Sequence, residues 1–394
     1  MSEAIKGAVT ETIREQKPLY DALTQYKKKK EYDLLIFIGR MQPFTLAHKS
    51  IIDKALDLAE DVLVLLGSAN SASNARNPWS FEDRKKMIEY SLWDTEDPYN
   101  EYNFNRVNIK PLNDYPYNNE QWKMNVNSIV DSLVDIKKDK IGLIGYNKDS
   151  SSYYLTMFPR FGNIDSGGYL YKNSLLDATT VRNIYFDKSN RDYLDEIIPL
   201  VPDGTFDFLC DYFYTDEYLY IKNELSHAKK NKETYGPGPF MTVDNVLIQA
   251  GHVLLVTRGG NIGKGLLALP GGFLEPYETL EDGAIRELQE ETEIDIPPSV
   301  LRSKIVASNI FDYPYRSVSG HLITTAFLYD LDAEIARKVN KRKKGEPLGL
   351  TKVKGSDDAV HADWYPLSSL DPKKMHDDHY HIIMEMLKYK KERK

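Results

Sequence analysis

Three short apolar runs, each closed by a glycine and separated by segments of helical periodicity, set the tightest limit on what this chain can fold into. Leu34-Leu35-Ile36-Phe37-Ile38 runs into Gly39, Val62-Leu63-Val64-Leu65-Leu66 into Gly67, and Ile141-Gly142-Leu143-Ile144 into Gly145. A strand that is apolar at every position has no face to give to water, so it must be covered on both sides, as in a parallel sheet. Amphipathic stretches lie at about 48–59 and 81–92, Val107-Asn108-Ile109 reads as another strand, and a helix is expected near 121–136. This alternation predicts an α/β fold with a doubly wound, Rossmann-like parallel sheet. Ligands of such sheets bind at the carboxyl ends of the strands, where the glycines stand.

At 394 residues the chain is too long for one typical domain. The stretch 189–233 has helical periodicity, with Leu209, Phe213, Tyr220 and Leu225 on one stripe. Gly236-Pro237-Gly238-Pro239 then breaks any helix. We therefore expect a polar N-terminal extension at 1–30, an α/β unit at 31–235 and a second unit at 236–394. In the second, strands at 242–249, 252–257, 304–310 and 322–331 surround one strong helix at about 279–292.

Acids outnumber bases 59 to 51, a net charge of -8. That excludes a protein whose work is coating nucleic acid, so no specific DNA binding is expected. It does not exclude anionic small substrates, which a few placed cations can hold. A single cysteine, Cys210, rules out an intramolecular disulfide and fits a reducing compartment. With no run of 18 apolar residues and no apolar core in the first 30, neither a membrane span nor a signal peptide is expected. A cytoplasmic location follows as the expectation (the host's, for a viral source).

The segment after the first strand, Gly39-Arg40-Met41-Gln42-Pro43-Phe44-Thr45-Leu46-Ala47-His48, delivers an arginine and a histidine to the start of a helix. Glycine allows close backbone approach, and helix N-terminal amides favour phosphate. Arg40, Thr45 and His48 are thus brought toward one anion site. The string resembles the nucleotidyltransferase signature of the nicotinamide-nucleotide adenylyltransferases, Gly-Arg-Phe-Gln-Pro-Phe followed by (His/Thr)-x-Gly-His, with Met41 and Ala47 as departures. Further matches follow in the family's order: Gly67-Ser-Ala-Asn70, then Asn77-Pro78-Trp79 and Arg84, then Asn119-x-x-Trp122, then Asp177-Ala-Thr-Thr-Val-Arg182, where Asp177 replaces the usual serine. The resemblance implies adenylyl transfer from ATP to nicotinamide mononucleotide, giving NAD and pyrophosphate. It implies Gly39, Arg40, Thr45, His48, Gly145, Thr179, Thr180 and Arg182 on the ATP side, with His48, Arg182 and Thr45 in catalysis. Asn77, Arg84, Asn119 and Trp122 fall on the nicotinamide mononucleotide side. A tryptophan suits a flat pyridinium cation.

In the second unit, Glu287, Glu290 and Glu291 stand at i, i+3 and i+4 and so share one helical face. Carboxylates crowded there repel unless a cation bridges them, and an all-oxygen set suits a hard divalent ion, Mg2+ or Mn2+. Arg286 is the natural counterion for Glu278. The full pattern resembles the Nudix box, Gly-x5-Glu-x7-Arg-Glu-U-x-Glu-Glu-x-Gly-U with U apolar, carried here by Gly272, Glu278, Arg286, Glu287, Leu288, Glu290, Glu291 and Ile294. Glu293 replaces the final glycine, at a cost of about 1 kcal/mol if that position caps the helix with positive φ. The resemblance implies an α/β/α Nudix domain whose metal is held by Glu287, Glu290, Glu291 and Glu278.

The order of motifs, with Gly142-Leu-Ile-Gly-Tyr-Asn-Lys-Asp-Ser-Ser-Ser-Tyr-Tyr-Leu155, resembles the bifunctional nicotinamide mononucleotide adenylyltransferase/ADP-ribose pyrophosphatase family over about residues 33–370. It implies hydrolysis of ADP-ribose to AMP and ribose 5-phosphate, with Gly271, Gly272 and Arg316 as contacts, and a homo-oligomer. Arg316 is as easily read as a loop salt bridge. Two rivals stay open: a Nudix half that senses ADP-ribose or acts on another nucleoside diphosphate compound, and an adenylyl acceptor that is a pantetheine or flavin phosphate.

Overall fold

The computed structural model describes residues 30–93, 104–135, 138–146, 154–187, 194–332 and 349–391. The expected N-terminal extension, the middle of the Gly142–Leu155 stretch and the first residues of the 189–233 stretch lie outside them.

Five parallel strands form the first sheet in the order β3-β2-β1-β4-β5. They are β1 (Tyr32–Gly39), β2 (Ala59–Leu66), β3 (Val107–Pro111), β4 (Ile141–Gly145) and β5 (Gly162–Asp165). Order reverses between β1 and β4, so a crevice opens at their carboxyl ends beside Gly39 and Gly145. Alternation along the strands splits the core in two. Leu35, Phe37, Val62 and Val64 face α1 (Leu46–Leu58) and α2 (Phe81–Leu92). Leu34, Ile36, Leu63 and Leu65 face α3 (Asn119–Asp131). Both faces are covered, as the unbroken apolar runs require.

α3 starts two residues earlier than its periodicity suggested, because the Asn118 side chain accepts the Gln121 N–H at 3.0 Å and caps it. β5, with residues alternately half-buried and exposed, carries no apolar run, and the sequence reading passed over it. A small hairpin of β6 (Leu170–Tyr171) and β7 (Ser174–Leu175) leads into α4 (Ala178–Asp187). Three helices follow: α5 (Leu194–Ile197), α6 (Asp203–Tyr212) and α7 (Asp216–Tyr235). α7 ends at Gly236 with φ 83, a backbone that glycine adopts without strain.

The second sheet is mixed. β8 (Phe240–Gln249) lies beside β9 (His252–Arg258) and β13 (Leu322–Asp330), and β12 (Ile305–Phe311) pairs with β13. β10 (Leu267–Ala268) and β14 (Ala359–Pro366) pair with β9, and β11 (Gly271–Phe273) with β8. Only β8 and β13 run parallel among these pairs. Val243, Leu247, Leu254 and Val256 pack on Ala284, Ile285 and Leu288 of α8 (Leu280–Thr292), which precedes the short α9 (Pro298–Arg302). On the opposite face Val246, Ile248, Val253 and Leu255 meet Ile382, Ile383 and Met386 of α10 (His379–Lys391). The result is the expected α/β/α sandwich. Among the described residues no helix is long and apolar enough to cross a membrane.

The two sheets are pinned together by buried polar contacts. Glu224 on α7, 1% exposed, accepts the Ala75 N–H at 2.5 Å from the first unit and the Gly263 N–H at 3.1 Å from the second.

Candidate active sites

In the first unit the β1–α1 turn is ordered by its own side chains. Thr45 caps α1, and its N–H meets His48 Nδ1 at 3.1 Å while its hydroxyl lies 2.9 Å from the same nitrogen. An amide can only donate, so Nδ1 accepts and the neutral ring carries its proton on Nε2, away from the turn. Burial lowers the His48 pKa from its ordinary value to about 4, against an opposing pull from Asp177. His48 is thus a neutral N–H donor at pH 7. Ala47 lies in the first turn of α1 with ordinary negative φ, so the family's glycine is not needed there for backbone freedom.

Asp177 finds its reason at the start of α4. Its carboxylate accepts the Thr180 N–H at 2.8 Å and the Thr180 hydroxyl at 3.2 Å, as a capping serine could. Arg182 donates to the Gln42 carbonyl and to Thr179 Oγ1, which ties α4 to the β1–α1 turn. Arg182, Arg40 and Arg76 lie close enough that each of Arg76 and Arg182 feels Arg40 as a repelling charge. Burial first, then these neighbours, lowers Arg76 and Arg182 to about 10, still fully charged at neutral pH.

A cavity of about 600 Å³ opens at the strand ends. Gly39 and Arg40, expected on the ATP side, line it together with Asn77, Asn119 and Trp122, expected on the mononucleotide side. Asn77 Oδ1 is buried there and, among the described residues, has no hydrogen-bond partner, which leaves an acceptor for a ligand's donor. Trp122 stands edge-on to Tyr154 at 6.4 Å and against Phe158, which fixes its ring. His48, Thr45, Gly145, Thr179, Thr180 and Arg182 are not part of that wall; they stand at the adjoining β1–α1 turn, the end of β4 and the start of α4.

Arg84 needs a correction. It is 0% exposed and donates to the carbonyls of Arg40 at 2.6 Å, Gly67 at 2.7 Å and Ser80 at 3.1 Å. It organises the two loops of the site from beneath and does not line the cavity. Conversely, Arg76 and Asp114 line the cavity and were not singled out from the sequence. Arg76 stood next to Asn77 in the motif already read, and only its position distinguishes it from a surface arginine.

In the second unit α8 presents its carboxylates beside β11. Gly271 and Gly272 are at the edge of a second cavity, about 590 Å³, with Asp244, Arg258, Arg316 and His379. The Gly271 N–H donates to Glu291 Oε2 at 2.9 Å. Glu291 is 8% exposed, and burial pushes its carboxyl up to about 8. Burial also raises Glu287, against Arg286. Arg286 reaches Glu287 and Glu290, each at 2.9 Å.

Glu278 meets its expected counterion. Arg286 grips it with two nitrogens at 2.7 and 3.1 Å, and those bonds hold its carboxyl below the usual range. It orients the arginine that also reaches Glu287 and Glu290. Among the described residues no three His, Cys, Asp or Glu side chains are already drawn around one point as a metal centre. The donor set still fits a hard cation: three glutamates on one face, one of them a buried carboxyl that only a cation would keep ionised at neutral pH.

Arg316 is buried at 6% exposure and forked onto Asp378 at 2.9 and 3.0 Å. The salt-bridge reading therefore holds for its guanidinium, although the residue lines both cavities together with Ser317 and Asp377. Glu293 closes α8 with φ 43 and ψ 32, the left-handed cap expected of a glycine, and meets Lys354 at 2.9 Å.

A doubly wound nucleotide-binding sheet with an arginine-rich crevice, joined to a sandwich with a glutamate-bearing box helix, defines a nucleotidyltransferase coupled to a Nudix domain. The NUDIX domain family matches residues 239–386 and the cytidylyltransferase-like family residues 36–140. A nicotinamide/nicotinic acid mononucleotide adenylyltransferase from Acinetobacter baylyi is 31% identical over 49% of this chain and 94% of its own. An ADP-ribose pyrophosphatase from Methanocaldococcus jannaschii is 32% identical over 39% of this chain and 75% of its own. The crystal structure of a bifunctional NMN adenylyltransferase/ADP-ribose pyrophosphatase from Francisella tularensis, complexed with AMP and a manganese ion, superimposes with a TM-score of 0.77 at 32% identity, covering 91% of this chain and 99% of that one. The chain belongs to the family of bifunctional NMN adenylyltransferase/ADP-ribose pyrophosphatases.

Proposed function

We propose that this chain transfers the adenylyl group of ATP to nicotinamide mononucleotide and, at a separate site, hydrolyses ADP-ribose to AMP and ribose 5-phosphate. We take residues 31–235 and 236–394 as the two catalytic units. The observation that carries the first activity is the mutual proximity of Arg40, Arg76 and Arg182 at a cavity with Asn77 and Trp122 in its wall, with a neutral His48 at the adjoining β1–α1 turn.

The phosphate oxygen of the mononucleotide attacks the α-phosphorus of ATP, the bond to the β-phosphate oxygen breaks, and pyrophosphate leaves. No protein nucleophile is required. His48 donates from Nε2 to a phosphate oxygen, and the arginines offset the charge that spreads onto the phosphates as the reaction proceeds. Trp122 offers its ring to the pyridinium, and Asn77 Oδ1 accepts from an amide or hydroxyl of the ligand.

In the second unit Glu287, Glu290 and Glu291 would hold a divalent ion, for which Mg2+ is our assignment and Mn2+ a substitute. When bound there, the ion would supply charge to offset the diphosphate and a lower pKa for an attacking water. Arg286, held by Glu278, steadies Glu287 and Glu290. Gly271 and Gly272 let β11 pack closely on β8 and on the Glu287 carboxylate, which sets the glutamates at the edge of the second cavity. The intact glutamates favour hydrolysis over sensing.

The experiment is a substrate panel. ATP with nicotinamide mononucleotide should give NAD faster than a pantetheine or flavin phosphate gives its adenylylated product. ADP-ribose with Mg2+ should release AMP. A preference for another acceptor overturns the first assignment, and absence of AMP overturns the second.

A further inference from the structure

The wall of the first cavity is not built by the first unit alone. Tyr313, Tyr315, Arg316, Asp378 and His381, all from the second unit, line the side facing Arg76 and Trp122. The contact is specific at one point. Arg76 Nη1 donates to the Tyr315 carbonyl at 2.8 Å, and its guanidinium lies 4.1 Å from the centre of the Tyr315 ring. Tyr313 braces that ring edge-on at 5.8 Å. The next residue, Arg316, is locked in the interior on Asp378, and Asp378 also accepts the hydroxyl of Tyr117, just ahead of α3 with its Asn119 and Trp122. Tyr315 therefore projects from a fixed point on the second unit, and the residue is 58% exposed.

Arg76 needs such a support. Arg40 repels it, and the carboxylate that attracts it, Asp114 across the cavity wall, is the last and smallest of the influences on it. A carboxylate partner would cancel the charge a substrate phosphate must meet. A carbonyl oxygen and an aromatic face orient the guanidinium and leave its charge intact.

We infer that Tyr315 of the Nudix unit is a positioning residue for adenylyl transfer, holding Arg76 toward the substrate phosphates, so that the second unit contributes to the first site. This rests on the reading of the first cavity as the mononucleotide site.

The test uses the full chain with Tyr315→Ala, Tyr315→Phe, Arg76→Ala and the double variant. A cation–π contact of this kind is worth a factor of about 3 to 30. Tyr315→Ala should raise the KM for nicotinamide mononucleotide by that factor with little change in kcat, and Tyr315→Phe, which keeps the aromatic face, should restore it. In the Arg76→Ala background the Tyr315→Ala change should have no further effect, since the two act as one unit. AMP release from ADP-ribose by the same preparations should be unchanged, because Tyr315 does not line the second cavity, and this shows that the variants fold. An unchanged KM for Tyr315→Ala, or an equal effect with and without Arg76, overturns the inference while leaving the site assignment in place. Failure of the unmutated chain to make NAD overturns the site assignment itself, and this inference with it.

Discussion

The carboxylate of Glu287 lies against the α-carbon of Gly272: a methyl group built on that glycine would stand 2.5 Å from Glu287 Oε1. The box glycine is thus required by the glutamate fifteen residues on. Gly272→Ala should push Glu287 off its place and lower AMP release from ADP-ribose by about tenfold or more, in line with losing a positioned metal ligand. NAD formation by the same sample should be unaffected. Steady-state assays of both reactions on one preparation decide it.

His48 is held neutral, with its pKa lowered to about 4. Its contribution is a hydrogen bond rather than a positive charge, so between pH 6 and 8 kcat/KM for NAD formation should show no inflection near 6.5 that His48→Ala removes. His48→Ala itself should slow adenylyl transfer by about 100-fold, the usual cost of losing one oxyanion donor. A pH–rate profile of both proteins gives the answer.

Glu291 carries the opposite sign. Its carboxyl is raised from 4.5 to about 8 in the folded chain by burial. Below pH 4.5 it is protonated folded or unfolded and costs nothing. As pH rises from 4.5 to about 8, the unfolded chain sheds this proton and the folded one keeps it, so stability falls across that window. In chelator, the thermal midpoint should fall from pH 5 to 8 more steeply for the unmutated chain than for Glu291→Gln. Added divalent cation should raise the midpoint of the unmutated chain and much less that of the variant.

Much of this was legible in the chain itself. The long central strands of both sheets followed from apolar runs, because a buried strand leaves that signature, whereas β5 and β14 are half exposed, β10 and β11 are only two and three residues long, and none of these four was read. The motifs named residues but not their directions. Arg84 and Arg182 look alike in sequence, yet one is wholly enclosed by carbonyls and the other stands among the site arginines. The Glu278–Arg286 pair, by contrast, was legible, because opposite charges in the box pointed to it. Tyr315 and Arg76 are 239 positions apart, and no local pattern links them.

Glu293 occupies a left-handed cap at φ 43. Replacing it with glycine should relieve about 1 kcal/mol of backbone strain. The exposed pair with Lys354 returns only a small part of that. Glu293→Gly should therefore shift the urea midpoint upward with both activities unchanged.

The claim that two unlike chemistries reside in separable sites of one chain is tested most directly by a single mixture of ATP, nicotinamide mononucleotide, ADP-ribose and Mg2+, with all products identified by mass. The unmutated chain should form NAD with pyrophosphate and AMP with ribose 5-phosphate. His48→Ala should lose NAD and keep ribose 5-phosphate, and Glu291→Gln should do the reverse. Loss of both products in either variant, or only one pair of products from the unmutated chain, would contradict the account.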